Sequence, residues 1–267
     1  MQPGTNATFV SSSEFEGMYN VTVEYQGRNI SVFLTKDGSN MFISSPLNIS
    51  QELPQATPTP TTAPTEIPKT TKTTAQLYVM AFCPYGIQAE AAMKPVVDLF
   101  GTNADIQVHF IANVGGTTPD SVQSLHGAVE AQEDLRQVCI MKYYDQKTLW
   151  KYIMPIDNNC SSLRSDTTAY DTCWKNAATS VGINVSKIDA CSTGSEGVNL
   201  LKADEALTTQ YGISGSPTLL INGVTYNGER TADAYKAAIC SGFTTQPSVC
   251  SQNLSSTAAA ASGNCAT

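Results

Sequence analysis

From Pro54 to Ala75 the chain reads PQATPTPTTAPTEIPKTTKTTA. No segment of that composition can build a core. Proline withdraws backbone donors, and threonine at this density leaves no hydrophobic period. The stretch is expected to be an extended, semi-rigid spacer of roughly 60–70 Å when fully drawn out, at about 3.1 Å per residue. It divides the 267 residues unequally. Residues 1–53 are too few to bury much apolar surface alone, whereas the longer part can enclose a core of its own.

The short part alternates apolar and polar residues at Tyr19, Val21, Val23 and Tyr25, and again at Ile30, Val32 and Leu34. Asp37-Gly38 then makes a hairpin turn before Met41-Phe42-Ile43. That is the period of half-buried strands, so 1–53 reads as a small β module. After the spacer, 76–250 reads as one α/β domain. Leu77–Ala81 is a strand, and Pro84 opens a helix that Pro95 should end or kink. Ile106–Phe110 is a second strand. A helical block is expected over about 118–212: a long helix from Pro119 to Tyr144, a second capped by Asp166 and stopped by Gly182, and a third over Glu196–Tyr211. A hairpin through Asn222-Gly223 follows, then a helix capped by Thr231. Residues 251–267 are small and polar and read as a flexible tail.

Eight cysteines are dispersed through the chain, none in a C-x-x-C pair. A zinc ribbon is therefore unsupported, and two histidines, His109 and His126, exclude a histidine-rich metal site; neither metal nor cofactor is expected. Dispersed cysteines fit an oxidising compartment. Sequons at Asn6, Asn20, Asn29, Asn48, Asn159, Asn184 and Asn253 agree, although several would arise by chance in so Ser/Thr-rich a chain. An extracytoplasmic glycoprotein is the expected setting. The polar opening Met1-Gln-Pro-Gly is then read as lying downstream of a removed signal or anchor, so a membrane tether outside these residues stays open. A net charge of −8 argues against nucleic acid and anionic membrane as partners.

Two short stretches carry chemistry. In Phe82-Cys83-Pro84-Tyr85-Gly86 a cysteine sits at a strand-to-helix junction. There the free backbone N–H groups and the positive end of the helix dipole favour thiolate and make the sulfur a nucleophile. By itself a lone Cys-Pro more often marks a buried or disulfide-locked cysteine. The second stretch is Ser216-Pro217-Thr218, where a proline opens a strand. An X-Pro bond there can be cis and would leave the Ser216 backbone groups turned outward to meet an extended peptide.

Together these stretches resemble the thioredoxin superfamily, and the helical block resembles the insertion of bacterial periplasmic disulfide oxidases. The resemblance implies a thioredoxin fold with an inserted helical block, preceded by the small β module. It implies Cys83 as the catalytic sulfur, and Pro84, Tyr85, Ser216, Pro217 and Thr218 as the surface that meets a polypeptide or thiol substrate. The stretch from Leu135-Arg136-Gln137-Val138-Cys139 through Gly182–Cys191 to Ala238–Phe243 and Cys250 is also similar to a luminal region of plant vacuolar sorting receptors, which are cargo receptors. Glu16–Val21 with Thr35–Gly38 resembles the N-terminal dimerisation domain of bacterial disulfide isomerases, which implies a homodimer through the N-terminal module.

The chain departs from the oxidoreductases at Gly86, where they carry a second cysteine. Cys83 therefore cannot close a disulfide within its own loop. Three readings stay open: thiol–disulfide exchange through a single loop cysteine, a polypeptide-binding module that keeps the fold and groove without chemistry, and a structural cell-surface glycoprotein on a stalk. His126, placed on the long helix, could lie near Cys83 or simply be packed. Trp150 and Trp174 read as core. If Cys83 is free, Cys265 in the tail is the expected other unpaired cysteine. The remaining six, Cys139, Cys160, Cys173, Cys191, Cys240 and Cys250, allow many connectivities. The pairing expected is Cys139–Cys160, Cys173–Cys191 and Cys240–Cys250.

Overall fold

A computed structural model describes residues 7–15, 17–25, 28–42 and 66–258. The chain separates into two compact units, Met1–Ala63 and Pro64–Thr267.

The first unit is a four-stranded antiparallel meander, β1 (Thr8–Phe15), β2 (Met18–Tyr25), β3 (Arg28–Thr35) and β4 (Met41–Phe42), in sequential order. Asp37 makes the β3–β4 turn: its carboxylate accepts from Thr35 Oγ1 and from the Ser39 amide. These hydrogen bonds, led by the Thr35 hydroxyl, hold the Asp37 carboxyl down at about 2. Among the described residues of this sheet only Val32 and Phe33 are buried, while Phe9, Val10, Phe15, Met41 and Phe42 are exposed. Adjacent strand residues point to opposite faces, so each face hides a single side chain and the sheet has no core of its own. Ile43, expected to extend the last strand, lies outside the described residues.

The second unit begins earlier than Ala75. Thr70 bridges to Phe243, Thr73 is fully buried, and the first strand starts at Thr74, so the end of the expected spacer belongs to the folded unit. The order is β5 (Thr74–Val79), α1 (Pro84–Phe100), β6 (Asp105–Phe110), β7 (Asn113–Val114), β8 (Val122–Gln123), α2 (Ala128–Tyr143), α3 (Gln146–Pro155), α4 (Thr167–Ser180), α5 (Val185–Ser192), α6 (Ser195–Gln210), β9 (Thr218–Ile221), β10 (Val224–Thr225) and α7 (Ala232–Ser241). The main sheet runs β10-β9-β5-β6, with β5 and β6 parallel and the other pairs antiparallel. Leu77 in β5 stands opposite Val108 of β6 and Leu219 of β9. The β9–β10 turn places Asn222 and Gly223 at φ 47° and 82°, the left-handed pair that a two-residue hairpin requires.

Several local expectations needed correction. Pro95 does not end α1, which runs on to Phe100 because Val96, Val97 and Phe100 bury their side chains in the core beyond it. The expected helix over Pro119–Tyr144 is broken into a 3-10 turn, the short strand β8 paired with β7, and then α2. Helix α2 starts only after Gly127, whose φ of 98° turns the chain. Two helices in the block were not expected: α3, capped by Asp145 on the Thr148 amide, and α5, capped by Asn184 on the Lys187 amide. The Asp166 and Thr231 caps are present.

The block and the sheet share one apolar core. Trp150 and Trp174 are fully enclosed, together with Leu135, Ile140, Ile153 and Leu201. Burying each such side chain stabilises the fold by roughly 1.5–3 kcal/mol. Three disulfides staple this unit: Cys139–Cys191, Cys160–Cys173 and Cys240–Cys250. The expected pairs Cys139–Cys160 and Cys173–Cys191 are not formed. Helix α2 packs against α5, which brings Cys139 within 6.0 Å (Cα–Cα) of Cys191. Cys160 ends the π-wound turn Ile156–Cys160 one short connection before α4, 5.7 Å from Cys173. Cys265 lies outside the described residues. The start of the expected flexible tail is docked: Leu254 packs on the core, and the Asp233 amide donates to the Ser255 carbonyl.

Candidate functional site at the Cys83 loop

The sheet brings the two chemistry-bearing stretches together. Strand β5 ends at Val79, and three residues later Cys83 occupies the N-cap of α1, with Pro84 at the first helical position. Antiparallel to β5, β9 starts at Thr218, so Ser216 and Pro217 arrive at the same end of the sheet. The Ser216–Pro217 peptide bond is cis. Ser216 meets the loop with its carbonyl and holds it with its hydroxyl. Its carbonyl oxygen lies 3.6 Å from Cys83 Sγ, and its Oγ accepts from the Met80 amide at 2.9 Å. The Thr218 hydroxyl donates to the Gly215 carbonyl. Tyr85 stands half exposed, with the Arg230 guanidinium 5.9 Å from its ring centre, within cation–π range.

Cys83 is not a free thiol here, which corrects the expectation. It is fully buried and disulfide-bonded, and not to any of the six cysteines already paired with one another.

Gly86 has a steric reason. A Cβ there would lie 2.9 Å from Ser216 Oγ and 3.1 Å from the Met80 carbonyl oxygen. Ser216 thus occupies the space that a second loop cysteine needs, and its hydroxyl closes the loop by a hydrogen bond instead.

Sequence reasoning missed how Phe82, the residue before the cysteine, is fixed. Its amide donates to Glu130 Oε1 at 2.7 Å, and its carbonyl accepts from Arg164 Nη1 at 3.5 Å. Glu130 is fully buried and also accepts from the His126 amide, with His126 Nδ1 2.7 Å from Oε1. His126 is therefore in the turn before α2 rather than on a long helix, and it meets the loop through Glu130. Only the spacing of His126 to Glu130 hinted at this pair in the sequence.

A cavity of about 510 Å³ opens beside the loop, between Phe82, Pro84 and Ile87 on one side and Asp157 and Arg164 of the helical block on the other. A smaller one of about 220 Å³ lies beyond Pro217 and Thr218, closed by Tyr226 and Arg230. Beneath the first lie buried acids. Burial, with Glu133 nearby, pushes Glu90 up to about 8, and neither of its oxygens has a hydrogen-bond partner. Burial likewise raises Asp157, with Glu90 and Glu133 adding to the effect. Glu133 is raised by burial too, against the Arg136 charge and the hydroxyls of Tyr170 and Tyr152.

The arrangement can be compared with known proteins. Among solved structures, a thiol-disulfide oxidoreductase of Actinomyces oris, MdbA, superposes with a TM-score of 0.50 at 11% identity, covering 66% of this chain and 83% of that one. The second unit of this chain has a thioredoxin fold with an inserted helical block. DsbA of Mycobacterium tuberculosis is similar at a TM-score of 0.47 and 12% identity, over 69% of this chain and 92% of that one. DsbA of Pseudomonas aeruginosa gives 0.44 and 11%, over 65% and 83%. Residues 115–240 match the family model of the vacuolar sorting receptor thioredoxin-like domain. No curated protein sequence matches the chain. The matched stretch of this thioredoxin-fold domain takes in α2 to α6 and the Ser216–Pro217 loop but begins after Cys83.

Proposed function

We propose that this protein exchanges disulfides with polypeptide thiols outside the cytoplasm, and that the Cys83 sulfur is the atom exchanged. One observation carries the reading. Cys83 sits at a helix N-terminus against the carbonyl of the cis-proline loop, and it is engaged in a disulfide although its own loop holds no second cysteine. A sulfur so placed leaves and attacks as thiolate more readily than one inside a helix. An extended peptide would pair with the Ser216 backbone and run between Tyr85 and Thr218. Three disulfides in the folded unit and the sequons support an oxidising, glycosylating compartment. The N-terminal sheet, with exposed apolar residues on both faces, is the surface through which two copies would pair.

A second reading is a polypeptide-binding module without chemistry. It is favoured by the receptor-domain match, which covers the helical block and the cis-proline loop and leaves out the cysteine.

Cys83→Ser separates the two. Exchange with a disulfide-bonded peptide should fall at least about a hundredfold, while the circular dichroism spectrum is kept. If wild type shows no exchange, and peptide binds equally to wild type and Cys83→Ser, the groove is a recognition surface.

A further inference from the structure

The chain has four arginines against a net charge of −8. Arg28 opens β3 of the N-terminal sheet, and Arg136 is paired with Glu133 inside the helical block. The other two both meet the Cys83 loop, from different elements. Arg164 follows the short 3-10 turn Ser161–Leu163, reaches the Phe82 carbonyl at 3.5 Å and lines the larger cavity. Arg230, just before α7, lies 5.9 Å from the centre of the Tyr85 ring and lines the smaller one. Both are exposed, and among the described residues neither forms an ion pair, even though Glu229 adjoins Arg230 in the chain.

We propose that these two arginines select the polypeptide that the loop receives: an acidic stretch with Asp or Glu on both sides of its exchanging cysteine, one carboxylate meeting Arg164 and another meeting Arg230. This names a substrate class for the exchange reading. It rests on that reading only for the path of the peptide, since recognition of charge needs no thiol.

The position of the cavities fits that path. One opens beside Phe82, Pro84 and Ile87, the other beyond Pro217 and Thr218, so a peptide crossing the loop between Tyr85 and Thr218 has an arginine on either hand. Arg164 uses one of its five N–H donors on the Phe82 carbonyl, and a planar guanidinium can grip a carboxylate through two others. Acids around the loop do not cancel these charges. The first turn of α1 holds none, and the helix adds its own positive end there. Burial pushes Glu90 and Asp157, beneath and beside the larger cavity, toward their neutral forms. The remote acids that make the chain negative are screened beyond about 8 Å at physiological salt. The loop is thus a local cationic site on an acidic protein.

The test uses the full chain and labelled peptides of equal length, with serine in place of the central cysteine and Glu, Gln or Lys on both sides of it. In fluorescence anisotropy at low salt the Glu peptide should bind at least about tenfold tighter than the Gln peptide, and the Lys peptide weakest. About 0.5 M NaCl should close most of that gap. Arg164→Gln and Arg230→Gln should each weaken the Glu peptide by about threefold and leave the Gln peptide unchanged, which a general loss of structure would not do. Arg230→Lys keeps the charge and should lose less than Arg230→Gln. Because Arg164 also holds the Phe82 backbone, Arg230→Gln decides if Arg164→Gln does not fold. Equal affinity for the Glu and Gln peptides, no binding of any peptide, or a Glu preference undiminished in Arg230→Gln overturns the proposal. With cysteine restored to the peptides, exchange at one rate for all three overturns the acidic substrate class and leaves exchange at Cys83 standing. A Glu preference in binding without any exchange overturns the exchange reading and leaves the arginine recognition standing.

Discussion

Cysteines at the two ends of a helix meet opposite fields, and this chain uses both. Cys83 caps the N-terminus of α1, where unpaired amides and the dipole favour a thiolate. Cys191 and Cys240 sit in the last turns of α5 and α7, where the same dipole disfavours it, and Cys139 and Cys173 lie inside α2 and α4. On the proposed reading, the contrast separates a sulfur placed to come and go from sulfurs placed to stay.

The largest expected effect bears on the bridges that stay. Cys139–Cys191 closes a loop with a sequence separation of 52, and Cys240–Cys250 one of 10. In the chain-entropy account, removing them with paired alanines should cost about 4 and about 3 kcal/mol in denaturant unfolding. Measured against wild type in which Cys83 alone has been reduced, Cys83→Ala should cost clearly less than the first, since no bridge is then lost. An equal or greater loss would make the Cys83 side chain a core element and dissolve the contrast.

A second effect comes from beneath the loop. Glu90 is raised from an ordinary 4.5 to about 8, mainly by burial and then by Glu133, and Asp157 faces the same pair. A raised acid binds more protons in the native state than in the unfolded one. Its stabilising protonation is therefore complete below about 4.5 and lost as pH rises towards 8, at up to about 1.4 kcal/mol per pH unit. Glu90→Gln should flatten that decline, so urea melts at pH 5 and pH 8.5 should differ less for the variant than for wild type. An unchanged difference would mean that Glu90 titrates normally.

A smaller effect sharpens the account of Gly86. Gly86→Cys brings a Cβ within 2.9 Å of Ser216 Oγ and should destabilise by about 1–3 kcal/mol. Adding Ser216→Ala removes that oxygen, so the double variant should be less destabilised than the sum of the singles by about 0.5–1 kcal/mol. Strict additivity would show that the serine is not what keeps a second cysteine out.

Much of this site was readable beforehand. Cys83-Pro84 after a strand and Ser216-Pro217 before one are local signals, and a sheet with β5 central necessarily brings them to one end. The state of Cys83 was not readable, because a disulfide with a partner outside its own loop leaves no local trace. Glu130 and Arg164 were not readable as loop supports either, since they reach the Phe82 backbone from the helical block, and no periodicity reports a side chain that crosses between elements. The pairing of Cys139 with Cys191 depends on α5, a helix of eight residues whose only strong mark is its Asn184 cap. The N-terminal strands were legible from alternation alone, but the thinness of their burial appears only in the folded sheet.

The central claim, that Cys83 exchanges while the other bridges stay, is tested most directly by graded reduction. Native protein is equilibrated over a dithiothreitol series, quenched in acid, alkylated, and each cysteine quantified by mass spectrometry. The account predicts that Cys83 becomes labelled at reductant levels at least about tenfold below those that open Cys139–Cys191, Cys160–Cys173 or Cys240–Cys250. Labelling of Cys83 together with those three pairs, or after them, would contradict it.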